Sequence, residues 1–517
     1  MTTVHGKRTA HRRTTTASKP KKAHAPSTAA TASEQQPPSK PGEPPIPSAA
    51  HEAAKLAAWA EPKATSLVEL RAAAENDTLD ATFKKHLADF RTAFAELRRQ
   101  APSVVFFGGA RLTPGDAYYA LAMAFGGELA QRGIPPKTGA GPGAMHAVPA
   151  GFIDVRDRLP HKLSQHLIEG VSRLAHLADQ STLGFNIKLP AEQKVSPAIE
   201  RAAEIQLFAF RKFALYENVR GIVVFPGGFG TLDELLEVLV LAREGRTKDP
   251  IVLAGKAYWQ PILDAWRASA ERNGQDLLAG LLDHVLVTDD PHAAMSFVEG
   301  KTDVRAFEDE PEQLYKRMVR ELKLASYVTT RQEKAVTFLG GAQLAPTDPA
   351  LALARLIAEH VAGQGQPVRV GDDGNGANAV KDGAGEVQRV RWDPASTQSQ
   401  QRRKKHSVDD VTFSERIPHK ETLLRNSSAY VVLPDAARGH DELTTVLCQI
   451  QTGKLPRRPL LLVDSSYWKP IIDSWERAMV SSTHAYIEPE DMKLLRLVDS
   501  LDDAKEALAG ASAGPTA

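Results

Sequence analysis

Residues 222–234 read Ile222-Val-Val-Phe-Pro-Gly-Gly-Phe-Gly-Thr-Leu-Asp-Glu234, and this stretch predicts a strand, a tight turn and a helix in succession. Four apolar residues, 222–225, indicate a short buried strand that ends at Pro226. The three glycines that follow remove side chains from the turn. Thr231 is predicted to be the helix N-cap, with Glu234 at the capping-box spacing. Because bare backbone N–H groups at such a turn bind phosphates, the stretch predicts an anion site beside a carboxylate.

Two more glycine-rich segments follow predicted strands upstream. Residues 103–110 indicate a buried strand that ends in Gly108 and Gly109, and residues 138–145 form a second glycine turn before a helix. Alternating strands and helices imply a parallel sheet with helices on both faces, and such sheets bind ligands beyond the carboxyl ends of their strands. The three turns are therefore expected to meet at one edge. The spacing is not the dinucleotide fingerprint and lacks its acidic partner, so NAD is not expected.

Two adjacent cations, Arg211 and Lys212, lie among aromatic residues shortly before the strand at 222–225. Taken alone, they indicate cations whose stems pack on a helix while their heads reach solvent. Beside a phosphate-type turn, they are predicted instead to reach a phosphate or carboxylate. Residues 184–200 are interpreted as a short strand followed by a polar loop that forms a pocket wall.

The second half of the chain repeats the first. Residues 430–443 align without gaps on 222–235, so Pro434 and Glu442 fall on Pro226 and Glu234, each 208 positions apart. The chain is therefore predicted to contain two fused copies of one α/β unit. Further matches pair 336–342 with 104–110, 371–380 with 139–148, and 467–470 with 258–261.

The two copies are not chemically equal. The glycines at 227, 228 and 230 become Asp435, Ala436 and Arg438, so a negative charge and side chains stand where an anion would bind. Lys420 matches Lys212, but His419 replaces the arginine before it. The second copy is thus predicted to have lost its phosphate site, and it remains either a structural half or a regulatory site.

Two other features of the second copy differ from the first. Residues 386–410 are rich in Gln, Ser, Arg and Lys, which indicates a mobile loop in place of the pocket wall. Cys448 matches Val240 on the core-facing side of a helix, so it is predicted to be a buried small hydrophobe and not a nucleophile.

Composition restricts the class of protein further. The chain has 517 residues, with 64 Lys and Arg against 63 Asp and Glu, so its net charge favours neither nucleic acid nor a membrane. A single cysteine excludes a disulfide framework and fits a reducing compartment. No apolar run reaches transmembrane length. Residues 1–50 are basic and have almost no large apolar side chains, which indicates a solvated tail in preference to a nucleic-acid or partner contact.

These patterns predict an ordered series of segments. They are a disordered basic tail (1–50), a helical preface (51–100), an active α/β domain (101–300), a helical connector (301–333), a degenerate α/β domain (334–510) and a tail (511–517).

The motifs together resemble the LOG (Lonely Guy) family, formerly called lysine decarboxylases. The resemblance rests on 226–234, on Arg211-Lys212 and on 138–145, while 109–111 and 189–193 resemble its larger bacterial branch. It covers 101–300 well and 334–510 as a decayed copy. It implies two tandem Rossmann-like, doubly wound parallel-sheet domains, and hydrolysis of the N-glycosidic bond of a nucleoside 5′-monophosphate. AMP and cytokinin ribotides are the family's usual substrates.

The resemblance also implies the site residues. Arg211 and Glu234 match the family's catalytic pair, while base protonation stays unassigned. The predicted substrate-binding residues are Gly108, Gly109, Arg111, Gly139, Gly141, Gly143, Met145, Glu192, Lys212, Gly227, Gly228, Gly230 and Thr231. Ala140 stands where a glycine is usual, and His146 where a Glu commonly follows the Met. No metal or cofactor is implied.

The expected protein is a cytoplasmic enzyme whose partner is a small nucleoside monophosphate. Homologous single-domain members dimerise, so either a homo-oligomer or an intramolecular pseudo-dimer is expected, with no membrane or nucleic-acid partner. The main alternative is a protein of the same architecture that binds a nucleotide, the molybdenum cofactor or single-stranded DNA without catalysis. Lysine decarboxylation is the weakest alternative, because no residue here marks a pyridoxal-phosphate lysine.

Overall fold

The stretch at 222–234 lies at the centre of a parallel sheet in the computed structural model of the chain. The structure describes residues 81–163, 180–187, 194–205, 208–274, 280–281, 283–301, 311–371, 374–395, 409–435, 437–481 and 485–512. The predicted tail at 1–50, the first part of the helical preface, Glu192 and residues 513–517 lie outside these ranges.

The first copy contains seven parallel strands flanked by helices. Its strands are β1 (Ser103–Phe107), β2 (Pro136–Thr138), β3 (Leu183–Ile187), β4 (Arg201–Ile205), β5 (Val219–Val224), β6 (Ile251–Leu253) and β7 (Val285–Val287). Its helices are α1 (Ala81–Arg99), α2 (Ala117–Arg132), α3 (Ala144–Leu163), α4 (Phe208–Tyr216), α5 (Phe229–Arg243), α6 (Lys256–Asn273) and α7 (Pro291–Lys301). The strand order β4-β3-β2-β1-β5-β6-β7 places a topological switch point between β1 and β5, where such sheets bind ligands.

The second copy has the same topology. After α8 (Pro311–Arg331), its strands are β8 (Ala335–Leu339), β9 (Val368–Val370), β10 (Gln388–Trp392), β11 (Asp410–Phe413), β12 (Ser427–Val432), β13 (Leu460–Val463) and β14 (Leu495–Val498). Its helices are α9 (Pro349–Gly363), α10 (Asn375–Ala384), α11 (Arg416–Leu424), α12 (Arg438–Gln451), α13 (Ser465–Trp475), α14 (Pro489–Met492) and α15 (Leu501–Ser512), and a π-helix (Glu476–Val480) continues α13. The order β11-β10-β9-β8-β12-β13-β14 repeats that of the first sheet, which confirms the predicted tandem α/β fold.

Glycines let two helices of the first copy approach closely, and this fixes where α3 begins. A Cβ on Gly126 would lie 2.0 Å from the Val148 carbonyl oxygen, and one on Gly151 would lie 2.0 Å from that of Met123. Only glycine permits backbones to meet at this distance. The close packing of α2 on α3 holds the N-terminus of α3 at the switch point.

The two copies pack against each other through equivalent helices, α5 on α12 and α6 on α13. Phe229 meets Trp475 edge to face with ring centroids 6.0 Å apart. The Ser269 hydroxyl donates to the Tyr467 carbonyl at 2.8 Å. One hydrophobic cluster of buried residues contains side chains from both copies, so they share a core.

Two strands were missed in the sequence. No strand was predicted at 201–205, where β4 lies, and its Arg-Ala-Ala-Glu-Ile sequence carries little strand propensity. The mobile loop predicted for 386–410 is wrong in part, because β10 lies within it and residue 410 begins β11. The side chains of β10 alternate between buried and half-buried, which is the period-two signal of a strand. Residues 396–408 of that loop lie outside the described ranges.

Candidate functional site

The three predicted glycine turns meet at the switch point. The Gly109 N–H donates to the Pro226 carbonyl at 2.9 Å, and the Ala144 N–H donates to the Gly109 carbonyl at 3.2 Å. Gly143 has φ 68°, and a Cβ there would lie 2.1 Å from the Gly109 oxygen, so this approach requires glycine. The carboxyl ends of β1 and β5 and the N-terminus of α3 therefore form one surface.

The helix that follows β5 begins with an N-terminus that lacks a side-chain cap. Its N-cap is Gly228, and no side chain of the described residues caps it. Thr231 lies inside the first turn, where its N–H donates to the Gly228 carbonyl at 3.0 Å. The prediction of Thr231 as N-cap was therefore wrong, because the observed N-cap lies three residues earlier, at Gly228. The Thr231 hydroxyl instead fills the space beside Gly227, at 2.1 Å from where a Cβ would lie.

The same turn in the second copy is closed by its own carboxylate. Asp435 Oδ1 accepts hydrogen bonds from the N–H groups of Ala437 at 3.0 Å and Gly439 at 3.2 Å. These N–H groups correspond to those of Phe229 and Thr231 in the first copy. An anion oxygen thus lies on this helix N-terminus in the second copy, as the sequence predicted, but it belongs to the chain itself.

Little space remains beside Asp435. The cavity there has a volume of about 20 Å³ and is lined by Gly340, Gly371, Asp435, Arg438 and Glu442 among others. That volume suits about one water molecule. A nucleotide does not fit this cavity.

Arg211 reaches the glycine turn that precedes α3. Its Nε donates to the Phe185 carbonyl at 3.0 Å, and its Nη2 lies 3.5 Å from the Gly139 carbonyl oxygen. A Cβ on Gly139 would lie 2.2 Å from Nη2 and 2.9 Å from Met145 Sδ, so glycine makes room for the guanidinium. Burial lowers the pKa of Arg211, while the nearby Glu234 carboxylate raises it.

Glu234 is a buried carboxylate on the first turns of α5. One of its oxygens accepts a hydrogen bond from the Tyr216 hydroxyl, and Lys212 Nζ lies 4.0 Å from the same oxygen. Burial raises the pKa of Glu234, against the opposite effects of Lys212 and Arg211. The two residues of the predicted catalytic pair therefore lie close enough for each charge to affect the pKa of the other, and Arg211 also reaches the glycine turn at Gly139.

Tyr216 was not singled out in the sequence. Burial, followed by the Glu234 charge, raises the pKa of its phenol well above the ordinary value, so it stays a hydrogen-bond donor. Its counterpart in the second copy is Leu424. A comparison of the repeats position by position would have marked this hydroxyl as particular to the first copy.

Lys212 faces protein carboxylates, whereas the sequence assigned it to substrate. Its Nζ lies 2.8 Å from Asp233 Oδ2 and 2.6 Å from Glu237 Oε2. Burial lowers the pKa of Lys212, but these two carboxylates outweigh it and raise the pKa well above the ordinary value. Lys212 is thus a charged group of the core that helps to hold Glu234.

Three carboxylates converge near Lys212, from Asp233, Glu237 and Asp441. Such a group has the donor chemistry of a metal site. Two ammonium groups already lie within hydrogen-bonding distance of these acids. Lys212 Nζ is 2.6 Å from Glu237 Oε2, and Lys420 Nζ is 2.7 Å from Asp441 Oδ1. The lysines therefore supply the positive charge that a cation would bring.

A segment of the second copy covers the anion turn of the first. A Cβ on Gly109 would lie 2.8 Å from the Tyr486 ring, and one on Gly228 would lie 2.8 Å from Ile487 Cγ2. Arg111, a predicted substrate residue, reaches the same segment, with its Nη1 2.8 Å from Glu488 Oε1. The sequence did not reveal this contact, because it depends on how the copies pack.

One buried tyrosine in each copy donates a hydrogen bond to a backbone carbonyl of the turn. The Tyr258 hydroxyl donates to the Gly227 carbonyl, and the Tyr467 hydroxyl donates to the Asp435 carbonyl at 2.7 Å. These tyrosines start the matching Tyr-Trp-x-Pro segments of the repeat. The hydrogen bond fixes the orientation of the peptide at the start of each turn.

The remaining predicted positions lie around the same edge. Ala140 has φ 60°, a left-handed conformation that glycine adopts with less strain than alanine. His146 Nδ1 lies 2.7 Å from Ser196 Oγ, so it has a polar partner in the first copy. Gly108 and Gly141 line the turns, and a Cβ on Gly230 would lie 3.7 Å from Cys448 Sγ. Cys448 is buried, as predicted.

Across the helices that the structure describes, none combines the length and apolar character needed to cross a membrane.

Comparisons with known proteins add relatives of two kinds. The chain is 31% identical to the pyrimidine/purine nucleotide 5′-monophosphate nucleosidase of Escherichia coli strain K12 over 162 residues, which is 30% of this chain and 32% of that protein. The nucleosidase of the same name from Escherichia coli O157:H7 matches with the same identity and extent. The match thus spans about a third of the length of these curated relatives.

Solved structures of lower similarity also match. The molybdenum cofactor binding protein of Rippkaea orientalis is 18% identical, with a TM-score of 0.26, over 39% of this chain and 97% of that one. The molybdenum cofactor carrier protein of Chlamydomonas reinhardtii is 17% identical, with a TM-score of 0.26, over 39% of this chain and all of that one. Similarity at this level carries no argument about activity.

A family described as "possible lysine decarboxylase" matches residues 168–297 and 378–508, one stretch in each copy. The two stretches together make up about half of the chain. The chain therefore belongs to this family, which is the LOG family that its motifs resemble.

Proposed function

We propose that the chain hydrolyses the N-glycosidic bond of a nucleoside 5′-monophosphate, of the AMP or cytokinin riboside monophosphate type, at the first copy. Water and the nucleotide give the free base and ribose 5-phosphate. The name of the E. coli relatives, nucleotide 5′-monophosphate nucleosidase, supports this class of substrate. The observation that carries the proposal is that α5 combines an N-terminus without a side-chain cap, at Gly228, with the buried Glu234 carboxylate, whose pKa burial raises and the Arg211 charge lowers.

In the proposed complex, the 5′-phosphate binds at the N-terminus of α5. The N–H groups of Phe229 and Thr231 are the counterparts of those that hold the Asp435 carboxylate in the second copy. An anion oxygen on these two N–H groups in the second copy supports one in the first, although the helix follows Gly228 in the first copy and Ala437, the counterpart of Phe229, in the second. The helix dipole adds to this attraction.

The ribose then lies toward Arg211 and Glu234. Cleavage of a glycosidic bond passes through an oxocarbenium-like state, which a nearby carboxylate stabilises. The C1′–N bond breaks with its electron pair going to the base, and a water oxygen bonds to C1′. Glu234 in its ionised form accepts a proton from that water, while Tyr216 holds the carboxylate in position. The departing base takes up one proton from solvent, and Glu234 afterwards releases one proton to solvent. Arg211 orients the nucleotide from the Gly139 side.

The pH dependence follows from the burial of Glu234. Its pKa lies above that of an ordinary Glu, and the reaction uses the ionised form. Activity therefore rises as pH increases through the raised pKa of Glu234 and falls below it. The acid limb of kcat/KM is expected at a higher pH than for an exposed glutamate.

The test is to incubate the full chain with AMP and the other nucleoside monophosphates and to measure free base by chromatography. Glu234→Gln is expected to lower base release about 100-fold or more, because it removes a charge that acts in the transition state. The matched control is Glu442→Gln, at the equivalent position of the second copy, which should keep wild-type rates.

Three results would contradict the proposal: no base release by the wild type, equal rates for Glu234→Gln and the wild type, or equal losses in both variants. Binding of nucleotide or single-stranded DNA without release of base would favour the alternative of a binding protein. DNA binding of that kind would weaken steeply as salt is added.

A further inference from the structure

The second copy has lost its anion turn but has kept other residues of the same site. Lys420 and Asp441 are the counterparts of Lys212 and Asp233, and all four side chains are buried. A buried lysine without a function is costly to retain, because charges resist removal from water. What these residues contact is therefore informative.

Their contacts cross from one copy to the other. Lys420 Nζ lies 2.7 Å from Asp441 of its own copy, but also 3.5 Å from Glu237 Oε2 of the first. The hydroxyl of Thr445, the counterpart of Glu237, donates to Asp233 Oδ1 at 2.6 Å. Both contacts end on acids of α5, the helix that carries Glu234.

Glu237 joins the two lysines. Its Oε2 lies 2.6 Å from Lys212 Nζ and 3.5 Å from Lys420 Nζ, so one carboxylate oxygen is shared by two ammonium groups. Lys212 Nζ in turn lies 4.0 Å from Glu234. A continuous series of charges thus runs from Lys420 through Glu237 and Lys212 to Glu234.

We propose that Lys420, although it lies in the copy without an anion turn, is a positioning residue for the reaction at Glu234 and acts through Glu237 and Lys212. This inference rests on the proposed function of the first copy. It also gives a reason why the second copy retains this part of the site: the retained residues act across the interface, whereas the lost glycines acted only within their own copy.

The physical effect concerns how Lys212 divides its charge. With Lys420 present, Glu237 is balanced by two cations, and Lys212 remains available to Asp233 and Glu234. Without Lys420, Lys212 is the one lysine of the two that still balances Glu237. The surroundings of Glu234 then become more negative by one charge. A carboxylate in more negative surroundings holds its proton more tightly.

Other charged and titratable groups face Glu234 from the packed elements, and they remain in place in this comparison. They are Arg211, Lys212 and Tyr216 on α4, Asp233 and Glu237 on α5, and Cys448 on α12. Arg416 also remains, and it pairs with Asp441. The loss of Lys420 therefore does not leave Asp441 without a cation.

The experiment measures kcat/KM for base release from AMP against pH in the full chain. Lys420→Met is expected to move the acid limb upward by about half to one pH unit. Lys420→Arg keeps the charge and should restore the wild-type limb. The double variant Lys420→Met/Glu237→Gln removes one charge of each sign and should also bring the limb back. Lys469→Met, at an exposed lysine of the second copy, is the control.

A merely structural role for Lys420 would lower the rate without moving the limb. Binding of ribose 5-phosphate, measured by calorimetry, should be equal in Lys420→Met and the wild type, because the phosphate site lies on α5. If Lys420→Met does not fold, the charge-neutral double variant and Lys420→Arg decide the matter: a limb displaced in either overturns the inference.

The two proposals fail in different ways. Base release by the wild type with an unmoved limb in Lys420→Met overturns the role of Lys420 and leaves the proposed function standing. Absence of base release by the wild type overturns both.

Discussion

At the scale of single residues, His440 links burial to stability in acid. Its Nε2 lies 2.8 Å from the Tyr467 hydroxyl and its ring packs on Trp468 with centroids 4.9 Å apart. Its Nδ1 has no hydrogen-bond partner among the residues that the structure describes. Burial lowers the pKa of His440 to about 3.

The pH dependence follows from that lowered pKa. An unfolded chain protonates His440 near pH 6.5, whereas the folded chain resists protonation until about pH 3. The unfolded state therefore binds more protons in this window, and stability falls as pH decreases through it, by up to about 1.4 kcal/mol per pH unit. We predict that His440→Leu, which copies Leu232 of the first half, makes the free energy of unfolding less sensitive to pH.

Urea unfolding at pH 7, 6 and 5 measures this slope. Leu also removes the hydrogen bond to Tyr467, so the variant is compared by its slope and not by its stability at one pH. His292→Leu, the same substitution at a side chain that is 76% exposed, is the control. Equal slopes in the wild type and His440→Leu would contradict the prediction.

Some residue roles were accessible from the sequence, and others were not. The counterparts Asp435 and Gly227 predicted an occupied and an open anion turn, because the change from glycine to aspartate has a direct chemical meaning. Thr231 was misplaced as N-cap, since threonine is a good cap in isolation while the backbone placed Gly228 there. The partners of Lys212 could not be predicted, because they lie on another helix, α5.

At the scale of elements, the turn that follows β5 and the equivalent turn that follows β12 differ at two positions that depend on each other. Gly227 faces Thr231 in the first copy, whereas Asp435 faces Gly439 in the second. A Cβ on Gly439 would lie 2.8 Å from the Asp435 Cβ, so the aspartate needs glycine opposite it. The first copy has the reverse arrangement, with the side chain on the helix and none on the turn.

We predict that the exchange Gly227→Asp/Thr231→Gly closes the anion turn of the first copy. The new carboxylate would accept hydrogen bonds from the N–H groups of residues 229 and 231, which are the proposed phosphate donors. The loss of two charge-assisted hydrogen bonds of about 1.5 kcal/mol each corresponds to roughly 100-fold weaker binding. Calorimetry with ribose 5-phosphate measures this change. A Cβ at position 227 would also lie 2.9 Å from the Gly109 backbone nitrogen, so the free energy of unfolding is expected to fall and is measured alongside.

The control is the reciprocal exchange Asp435→Gly/Gly439→Thr, which should leave binding at the first copy unaltered. Undiminished binding in Gly227→Asp/Thr231→Gly would show that phosphate is held elsewhere.

The tyrosine beneath each turn provides a second comparison of elements. Tyr258→Phe removes the hydrogen bond to Gly227, and Tyr467→Phe removes the one to Asp435. Each loss is expected to cost about 1 kcal/mol of stability. We predict that only Tyr258→Phe weakens ribose 5-phosphate binding, by about 3- to 10-fold, because only that turn binds an anion.

Thermal unfolding and calorimetry on the two phenylalanine variants measure both quantities. A loss of binding in Tyr467→Phe equal to that in Tyr258→Phe would contradict the separation of the two turns.

Strands and helices with clear periodicity were predicted from the sequence, and those without it were missed. The strand before the turn was identified from its apolar residues at 222–225, because a buried parallel strand needs apolar residues on both faces; the structure begins it earlier, at Val219, and includes Arg220. β4 lies at the edge of its sheet and packs on α1, so its strand conformation depends on tertiary contacts. β10 carried an alternating signal that was obscured by the polar composition around it.

At the scale of the whole molecule, the repeat in the sequence predicted two like sheets, since gap-free alignment over the turn implies the same succession of strand, turn and helix. The way in which the copies pack was beyond prediction, as were the contacts of Tyr486 and Lys420. These contacts depend on surfaces that are far apart in the sequence and meet only when both sheets are complete.

The Asp435 carboxylate determines how many ligand molecules one chain is expected to bind. A symmetric pair of separate subunits offers two equal binding sites, and its titration with ligand ends at two equivalents. This chain carries its own competitor in one half, covalently fixed and therefore never diluted. We predict that a titration with ribose 5-phosphate ends at one equivalent per chain, and that saturation is hyperbolic, with no cooperativity between halves. An endpoint of two equivalents in calorimetry would contradict this stoichiometry.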